Sequence, residues 1–387
     1  MTLKNNIRIY SIYLLRYLLH LFYIFPINKK KILFCSFGGI KIACNPYYVY
    51  LKLIEMHPDD FYIYWVYSGN NKGRIRKQDS IIPRKGLLFL YHLMTAAVIV
   101  DNDGFKTYIP IRDRQIYINT WHGGGLFKTA YGASRSKEDI EYSKNIDKIL
   151  KNDINLLLST SKLWSRLIAR YRFHYKGEIL ESGYPRNDLF FGNTEELKKR
   201  VKFTLNIGTN DKIVLFAPTY RGGLFKRYAS DNENSLNIDQ LIKSLEKKFG
   251  GIFCFIYRGH HAGHANNFNY NKCINATNYV DMQELLAAAD IFISDYSSCL
   301  WDFSLTYKPC FIFASDFDEY IVNPGFESDY KEWPFPIAKS NDELITCINN
   351  FDMGVYMDKI SLYHKQYGSF EDGHASEKVV NWIVQHI

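Results

Sequence analysis

The sequence predicts an α/β protein made of two parallel-sheet domains that share a cleft, preceded by a membrane-associated helix. Three observations lead to this prediction. The chain has 387 residues, and at roughly 100 to 200 residues per domain this length favours two domains over one. From Lys31 onward, short apolar runs rich in β-branched and aromatic residues alternate with segments of helical pattern, as in sheets built from βαβ units. With 47% hydrophobic residues the chain can fill one or two sizeable cores, which excludes a disordered or fibrous protein.

Charge and cysteine content limit the partners and the compartment. The 48 basic and 40 acidic residues give a net charge of +8, which suits anionic substrates or a membrane surface and is too small to imply nucleic acid. The seven cysteines are an odd number without a C-x-x-C pair and lie mostly in apolar runs. They are typical of small buried hydrophobes in a reducing compartment, and their spacing fits neither a disulfide framework nor a thiolate metal site. We therefore expect a cytoplasmic protein.

The first element, over residues 1–28, is predicted to be an interfacial helix. Its apolar stretch runs from Ile9 to Phe25 and is interrupted by Arg16 and His20. A central arginine costs roughly 2.5 to 3.5 kcal/mol in a membrane span, and no small-residue cleavage site follows, so neither a transmembrane helix nor a signal peptide fits well. Basic residues recur at multiples of four beside a leucine- and phenylalanine-rich side, which favours a helix lying on anionic lipid. A helix packed on its own protein is the alternative.

The candidate strands fall into two groups, separated by a charged helical segment and a turn-prone segment between residues 193 and 211. The first group is Ile32–Phe37, Tyr62–Tyr67, Ala97–Val100, Ile116–Asn119, Leu156–Ser159 and Ile179–Glu181, and the second is Ile213–Ala217, Ile252–Tyr257, Ile291–Ser294 and Phe311–Phe313. We therefore predict an N-terminal domain over 29–200 and a C-terminal domain over 201–387, with the last helix free to pack back on the N-terminal domain. Open parallel sheets bind ligands outside the carboxyl ends of their strands, so functional residues are expected in the loops that follow these strands.

The loop after Asn119 places His122 directly before three glycines, Gly123 to Gly125. Glycines allow the backbone to approach a ligand closely, and the near-neutral pKa of histidine suits proton transfer. Taken alone, this pattern is still more typical of a turn histidine that is hydrogen-bonded within its own loop.

The loop after Tyr257 carries Arg258, His260, His261 and His264. No carboxylate or cysteine is spaced to complete a metal site, and an arginine is unfavourable beside a cation. The pattern therefore favours anion recognition, with Arg258 as a forked donor and His260 as a second donor to phosphate oxygens.

A third loop follows the strand that runs into Asp295. Ser297 or Ser298 is predicted to cap a helix that extends to about Tyr307 and ends before Pro309. Free N–H groups at the start of a helix can bind phosphate, although ordinary capping explains a serine there equally well. The chain has no G-x-x-x-x-G-K-[ST], no G-x-G-x-x-G after its first strand and no G-x-S-x-G, which argues against an ATPase, a nicotinamide enzyme and a serine hydrolase.

In their order along the chain, these segments resemble the CDP-glycerol glycerophosphotransferase family, the enzymes of teichoic acid and related capsule synthesis. The resemblance is carried by Trp121-His122-Gly123, Gly183 to Asp188, Ala217 to Arg221, Arg258-Gly259-His260, Asp290 to Phe303, Lys308-Pro309, Asp316 to Tyr320 and Asp372 to Ser376. It implies a GT-B architecture, in which two Rossmann-like domains face a cleft, with the nucleotide on the C-terminal domain and the acceptor chiefly on the N-terminal one. No metal and no obligatory cofactor are implied.

The chain departs from the family pattern on the acceptor side. Gly124 and Gly125 stand where the family commonly has Thr-Pro, and Lys128 falls one residue later than expected. His261 replaces a usual proline. These departures bear on the acceptor more than on the reaction.

The resemblance implies transfer of glycerol phosphate or ribitol phosphate from a CDP-alditol to a hydroxyl of a polyprenyl-linked or polysaccharide acceptor, with release of CMP. We expect this reaction at the cytoplasmic face of the cell membrane, where the N-terminal helix binds the anionic surface peripherally. His122 is the expected base, and His260 as the base is the inverse assignment. The expected substrate-binding residues are Arg258, Ser297, Ser298, Asp295, Arg221, Arg186, Glu319, Gly123 and Lys128.

Two other classes of function remain open from the sequence. A GT-B glycosyltransferase that uses a nucleotide sugar in surface polysaccharide synthesis would release UDP or GDP instead of CMP. A non-enzymatic basic protein that binds a membrane or nucleic acid would group its lysines with exposed aromatic residues, whereas the distinctive residues of this chain lie at strand ends. The choice between glycerol and ribitol, and between one transferred unit and many, is not determined by the sequence.

Overall fold

A computed structural model describes residues 3–69, 73–104, 108–127, 153–219, 236–259, 273–322 and 325–387, together with residues 141, 144, 145 and 149. The chain forms two compact units. The described residues of the first unit fall within Met1–His122, Arg135–Asp188 and Ser369–Ile387, and those of the second within Gly123–Ser134 and Leu189–Gly368.

Among the described residues, the first unit contains a sheet of seven strands, all parallel in their pairing. The strands are β1 (Asn28–Cys35), β2 (Tyr62–Val66), β3 (Ser80–Ile82), β4 (Ala96–Asp101), β5 (Ile116–Asn119), β6 (Leu156–Ser159) and β7 (Glu178–Glu181). Their order is β3-β2-β1-β4-β5-β6-β7, so the chain first builds outward from β1 and then returns to its other side as β4. Phe34 in the centre of the sheet is paired with Trp65 of β2 and Val100 of β4.

The second unit repeats this arrangement with six strands in the residues that the structure describes. They are β8 (Lys212–Phe216), β9 (Phe253–Tyr257), β10 (Cys273–Asn275), β11 (Ile291–Ser294), β12 (Cys310–Phe313) and β13 (Ile337–Ala338). The order β10-β9-β8-β11-β12-β13 is again that of a doubly wound sheet, in which ligands bind at the carboxyl ends of the strands where the order reverses. The reversal lies between β1 and β4 in the first unit and between β8 and β11 in the second.

The central strands form because their side chains are apolar on both faces. Every residue of β4, β6, β11 and β12 is buried, as expected for parallel strands covered by helices on both sides. The sequence prediction missed β3, β10 and β13. These are three of the four edge strands, they are two or three residues long, and their polar or half-exposed residues break the apolar pattern.

Helices connect the strands and begin at side-chain caps in several places. The α-helices with defined bounds in the described part of the chain are Leu3–Leu19, Cys44–Met56, Leu87–Thr95, Lys162–Trp164, Thr194–Thr204, Ile238–Phe249, Met282–Ala288, Cys299–Ser304, Phe317–Val322, Asn341–Asn349, Met353–Tyr367 and Ala375–His386, with a π-helix at Ser165–Arg172 and short 3₁₀ segments at His20–Ile24, Phe37–Gly39, Pro185–Phe191 and Tyr330–Glu332. Asn237, Ser340 and Asp352 each accept a hydrogen bond from a backbone N–H in the first turn of the helix that follows. Gly368 ends the helix Met353–Tyr367 in the left-handed conformation.

The N-terminal helix packs on the first unit along one side only. Ile12 is buried, and the Arg16 guanidinium pairs with the Asp153 carboxylate at 2.7 Å. Most of the other large apolar residues are exposed, with Leu14, Leu18 and Leu21 at 60%, 49% and 72%. The segment Asn5–Ile24 is long and apolar enough to cross a membrane by length and composition. Arg16, which the sequence pattern grouped with the lipid-facing basic residues, is instead directed to the protein.

The division of the chain into units differs in detail from the predicted domain boundary at residue 200. Apart from its segment within Gly123–Ser134, the second unit runs from Leu189 to Gly368, and the helix Thr194–Thr204 packs against Met282–Ala288 of that unit. In the sequence this helix resembles a charged linker, but Leu197 and Val201 on one side of it are buried. The residues Ser369–Ile387 belong to the first unit, where the helix Ala375–His386 packs on Cys44–Met56.

Candidate active site

The first unit brings the ends of β1 and β4 together at its point of reversed strand order. After β1 the chain turns sharply, and Phe37, Gly38 and Gly39 all have positive φ (50°, 59° and 81°). The Phe37 N–H donates to Asn102 Oδ1 at 2.8 Å. Asn102 directly follows β4, so this bond joins the two strand ends.

His122, the predicted base, lies beside this junction. Its Nδ1 is 2.6 Å from the backbone oxygen of Asn102. Because a carbonyl oxygen only accepts, Nδ1 carries the hydrogen, and Nε2 of the neutral ring is left as the basic atom. Burial lowers the pKa of His122, and the nearby Arg186 charge acts in the same direction. The imidazole is therefore neutral at pH 7 and is suited to accept a proton.

Aromatic rings hold the His122 imidazole in place. Trp121 stacks on it with ring centres 5.0 Å apart, and Phe37 meets it edge-on at 5.8 Å. Trp121 has φ of 52°, a conformation that non-glycine residues rarely adopt. Strained residues of this kind persist where the surroundings fix them, often at functional sites.

Arg186, predicted to bind substrate, is buried and contacts the backbone of the His122 loop. Its Nη1 donates to the His122 carbonyl oxygen at 2.7 Å and lies 3.2 Å from Cys44 Sγ. Asn45 supports the same loop by donating to the backbone oxygens of Thr120 and Trp121. The guanidinium thus positions the His122 loop, and its predicted contact with substrate stays a prediction.

The Gly183 to Asp188 segment and the C-terminal segment form a clasp, by which we mean the contacts that Glu371 and Asp188 make between them. The Glu371 carboxylate accepts from Tyr184 N at 3.0 Å and from Asn187 Nδ2 at 2.9 Å. Asp188 in turn accepts from the N–H groups of Ala375 and Ser376 at 2.9 and 2.7 Å. Sequence reasoning did not single out Glu371, because a lone glutamate beside a turn has no distinguishing signal without its partners.

In the second unit, Asp295 joins the loops that follow β8 and β11. The side chain is fully buried, and its two oxygens accept from Thr219 N at 2.9 and 3.0 Å. The Tyr296 N–H also donates to it at 2.6 Å. The carboxylate therefore fixes the shape of the loops at the second point of reversed strand order, which is where a nucleotide binds in folds of this kind.

Ser297 and Ser298 follow Asp295 and are partly exposed. Ser297 Oγ accepts from Cys299 N at 3.2 Å, whereas the Ser298 side chain makes no capping bond. The helix predicted to reach Tyr307 is shorter, since it ends at Ser304. Beyond that point, bonds between residues three apart tighten the chain, and Tyr307 adopts φ of 57°.

Arg258 follows β9 and is only 9% exposed. Its Nη1 donates to the backbone oxygens of Tyr279 and Ala276 at 2.9 and 3.4 Å, and burial lowers its pKa. The guanidinium thus braces the chain after β10, while its predicted contact with phosphate stays a prediction. Glu319 is exposed on the helix Phe317–Val322.

The remaining predicted residues are distributed as follows. Gly123 directly follows His122 and is the first residue of the second unit. His260, Arg221 and Lys128 lie outside the described residues. The structure thus brings His122 and Arg186 together in the first unit, and it places Asp295, Ser297 and Ser298 at the end of β11 in the second. Within the described part of the chain, no three His, Cys, Asp or Glu residues are grouped so that they could hold a metal ion.

Gly124 stands where the family commonly has threonine, and the surrounding packing gives a steric reason for the glycine. A Cβ at this position would lie 2.7 Å from Cδ1 of Trp301, which is fully buried in the same unit. Real Cβ atoms do not approach other atoms so closely, so a threonine here would displace the indole.

Comparison with known proteins gives one consistent result. The family model described as "CDP-Glycerol:Poly(glycerophosphate) glycerophosphotransferase" matches residues 17–385. A teichoic acid poly(glycerol phosphate) polymerase of Bacillus subtilis (strain 168) is 30% identical over 374 residues, 92% of this chain and 49% of the relative. A polymerase of the same description from Bacillus spizizenii is 29% identical over 98% of this chain and 96% of its own length. The chain therefore spans about half of the first relative and nearly all of the second.

Solved structures agree with the fold. A structure of the wall teichoic acid polymerase TagF matches with a TM-score of 0.78 and 25% identity over 98% of this chain and 95% of that one. A UDP-GlcNAc 2-epimerase of Methanocaldococcus jannaschii matches with a TM-score of 0.51 and 11% identity over 92% of this chain and 99% of that one, which concerns the fold alone. The predicted α/β fold of GT-B type, with two parallel-sheet units, is confirmed. The chain belongs to the CDP-glycerol glycerophosphotransferase family.

Proposed function

We propose that this protein transfers glycerol phosphate from CDP-glycerol to a hydroxyl of a lipid-linked acceptor and releases CMP, in teichoic acid synthesis. The observation that carries the proposal is His122, an imidazole with a defined basic nitrogen at the ligand-binding edge of a doubly wound sheet. Family membership supports the donor and the reaction. CDP-ribitol is the second candidate donor, because ribitol-phosphate polymerases are also relatives, at 27% identity against 30% for the glycerol-phosphate polymerase.

In the proposed reaction, the acceptor hydroxyl attacks the β-phosphorus of CDP-glycerol, and His122 Nε2 takes the hydroxyl proton. The new P–O bond forms as the bond from the β-phosphorus to the bridging oxygen breaks, and CMP leaves with that oxygen. A base placed in this way typically contributes roughly 10² to 10⁴ in rate. We assign the donor to the second unit, where Ser297, Ser298, Arg258 and His260 are the candidates to stabilise charge on the departing phosphate. One preorganised donor of that kind is worth roughly 10² to 10³.

The experiment that tests this function incubates the purified chain with a panel of CDP-alditols and nucleotide sugars. Acceptor-dependent release of CMP from CDP-glycerol or CDP-ribitol is the expected result. Release of UDP or GDP from a nucleotide sugar would overturn the proposal and favour the GT-B glycosyltransferase alternative.

The same assay tests the base. His122→Ala is expected to lower turnover by roughly 10² to 10⁴ while CDP-glycerol binding is retained. Because burial lowers the pKa of His122, the acidic limb of kcat/KM against pH should lie below the usual histidine value of about 6.5. Loss of donor binding in His122→Ala, with donor binding kept in His260→Ala, would favour the inverse assignment.

We further propose that the protein acts at the cytoplasmic face of the cell membrane, held peripherally by its N-terminal helix. The exposed leucine side of that helix and the net charge of +8 support this location. A polyprenyl-linked acceptor would then meet the enzyme at the membrane surface, and a soluble polysaccharide acceptor is the alternative.

A further inference from the structure

Asn102 is held between the Ser36 to Gly39 loop and His122, and its side chain is fully buried. Its Oδ1 accepts from Phe37 N at 2.8 Å, which fixes the orientation of the carboxamide. Its backbone oxygen accepts from His122 Nδ1 at 2.6 Å. The remaining polar group, Nδ2, has no hydrogen-bond partner among the residues that the structure describes.

An unmatched donor at this place is unusual. A buried polar group without a partner costs roughly 1 to 3 kcal/mol, and such groups occur where a ligand or water completes the site. Asn102 already makes two bonds that align it with the predicted base. These bonds place the unmatched Nδ2 donor within the same loop junction as the imidazole.

The adjoining loop contains two successive glycines, Gly38 and Gly39. A Cβ on Gly39 would lie 2.7 Å from Arg84 Cγ and 2.9 Å from Val66 Cγ1, so only glycine fits there. A Cβ on Gly38 would lie 3.5 Å from Arg84 Nη2. Close packing of Gly39 against Arg84 and Val66 therefore fixes the loop whose Phe37 N–H orients the Asn102 carboxamide.

The charges at this strand end favour a neutral ligand group. Burial raises the pKa of Asp101 to about 6, so its carboxylate is mostly ionised at pH 7. The negative charge of Asp103 raises the pKa of the His122 imidazole and so partly offsets the lowering caused by burial. These two carboxylates offset the positive charges of Arg84 and Arg186. A hydroxyl can accept from an amide without facing repulsion from the carboxylates.

We propose that Asn102 binds the polyol end of the acceptor, with Nδ2 donating to a hydroxyl oxygen next to the hydroxyl that His122 deprotonates. The proposal rests on the proposed function, since it concerns the acceptor of that same reaction. For an acceptor that ends in glycerol phosphate, the bound group is the middle hydroxyl of the terminal glycerol. Asn102 would then select acceptors that carry a hydroxyl beside the attacking one.

The test compares two soluble acceptors, one ending in glycerol phosphate and one ending in propane-1,3-diol phosphate, which lacks only the middle hydroxyl. The wild-type enzyme should prefer the first by roughly 10- to 100-fold in kcat/KM, because the second leaves the buried donor unmatched. In Asn102→Ala this preference should fall to about one. The ratio does not depend on the folded fraction of a variant, since both acceptors meet the same enzyme.

Asn155→Ala is the matched control, because Asn155 also uses Oδ1 to accept from a backbone N–H, that of Tyr117 at 2.8 Å. It should keep the wild-type preference. A wild-type enzyme without preference, or an Asn102→Ala variant that keeps the preference, would overturn the proposal.

If Asn102→Ala does not fold, the side-chain amide signal of Asn102 in the ¹⁵N-labelled wild-type protein decides. It should shift with the glycerol-ended acceptor and stay unchanged with the other, and equal behaviour with both would also overturn the proposal. Absence of CMP release with every acceptor would instead count against the proposed function.

Discussion

Lys31 is a buried cation in β1 whose surroundings are aromatic. Its exposure is 4%, its Nζ donates to Thr95 Oγ1 at 2.6 Å, and it lies 4.8 and 5.0 Å from the ring centres of Tyr64 and Tyr91. Burial lowers the pKa of Lys31 from its ordinary value of 10.5 to about 8. The folded chain therefore holds this proton less tightly than the unfolded chain does.

The sign of the pH effect follows from this difference. Below pH 8 both states are protonated, and folding bears the full cost of burying the charge. Between about pH 8 and 10.5 the folded state releases the proton first, so this group's contribution to the free energy of unfolding rises with pH. We predict that Lys31→Met raises the free energy of unfolding at pH 7 by up to about 3 kcal/mol, at about 1.4 kcal/mol per pKa unit.

Urea unfolding at pH 7 and at pH 10 checks this prediction, because the advantage of Lys31→Met should shrink as the pH rises. Lys30→Met is the control, since Lys30 is exposed on the same strand and should show no such trend. An advantage of Lys31→Met that is equal at both pH values would show that the charge of Lys31 is not the cause.

The positions of single residues could be predicted from the sequence, but their side-chain contacts could not. The sequence correctly indicated that Arg186 and Arg258 lie at strand ends or in the loops nearby, because strand endings follow from apolar runs and turn residues. It did not indicate that both guanidinium groups are buried against backbone oxygens. That depends on partners distant in sequence, such as His122 for Arg186 and Tyr279 for Arg258, which no local pattern records.

At the scale of elements, the clasp explains why two motifs far apart in the sequence belong together. Asp188 satisfies two N–H groups at the start of the helix Ala375–His386, a role usually filled by a residue of the helix's own N-cap. The actual N-cap, His374, makes no side-chain capping bond. The helix is therefore fixed to the first unit at the point where it begins.

We predict that Asp188→Ala lowers the free energy of unfolding by roughly 1 to 3 kcal/mol, because it removes an N-terminal cap and leaves buried N–H groups unmatched. Urea denaturation of the full chain measures the change, and limited proteolysis should cut the C-terminal helix sooner in the variant than in the wild type.

Asp372→Ala is the matched control. Asp372 accepts from His374 N in the same segment but is exposed, so we expect its loss to cost about 0.5 kcal/mol or less. Equal effects of the two substitutions would contradict the clasp.

Elements were predicted well where burial was complete and poorly where it was not. The strands β4, β5, β6, β11 and β12 were recognised because their apolar runs record burial on both faces. The helix Cys299–Ser304 was predicted too long because its apolar pattern continues past the point where hydrogen bonding tightens. A hydrophobic pattern indicates which residues are buried. It indicates where a helix ends only when a capping residue or a proline lies at that end.

At the scale of the whole molecule, both units share one strand order, and the candidate functional residues lie at the same place in each. His122 and Asn102 lie at the reversal between β1 and β4, and Asp295 lies at the reversal between β8 and β11. The rule that ligands bind at the carboxyl ends of parallel strands selected the loops of His122 and Asp295 from the sequence, whereas Asn102 was not among the predicted residues. The assignment of His122 to the first unit and of Gly123 to the second requires the three-dimensional packing, because no composition change marks that crossing.

The N-terminal helix is the element by which we propose that the molecule is held at a membrane. Leu14, Leu18 and Leu21 lie on one side of it and are exposed, while Arg16 is tied to Asp153. This arrangement leaves an apolar side available to lipid without detaching the helix from the first unit.

We predict that replacing Leu14, Leu18 and Leu21 together by Gln weakens binding to vesicles containing anionic phosphatidylglycerol by at least about 100-fold. Each buried leucine contributes roughly 1.5 to 3 kcal/mol, and about 1.4 kcal/mol is a factor of ten. Turnover with a soluble acceptor should be unchanged, because the three side chains are exposed and are not among the contacts that hold His122 and Asn102. Phe203→Gln is the control: Phe203 is 89% exposed in the second unit, and its replacement should leave vesicle binding as it is. Vesicle sedimentation of the three proteins checks the prediction. Undiminished binding of the triple variant would mean that another surface of the molecule holds it to the membrane.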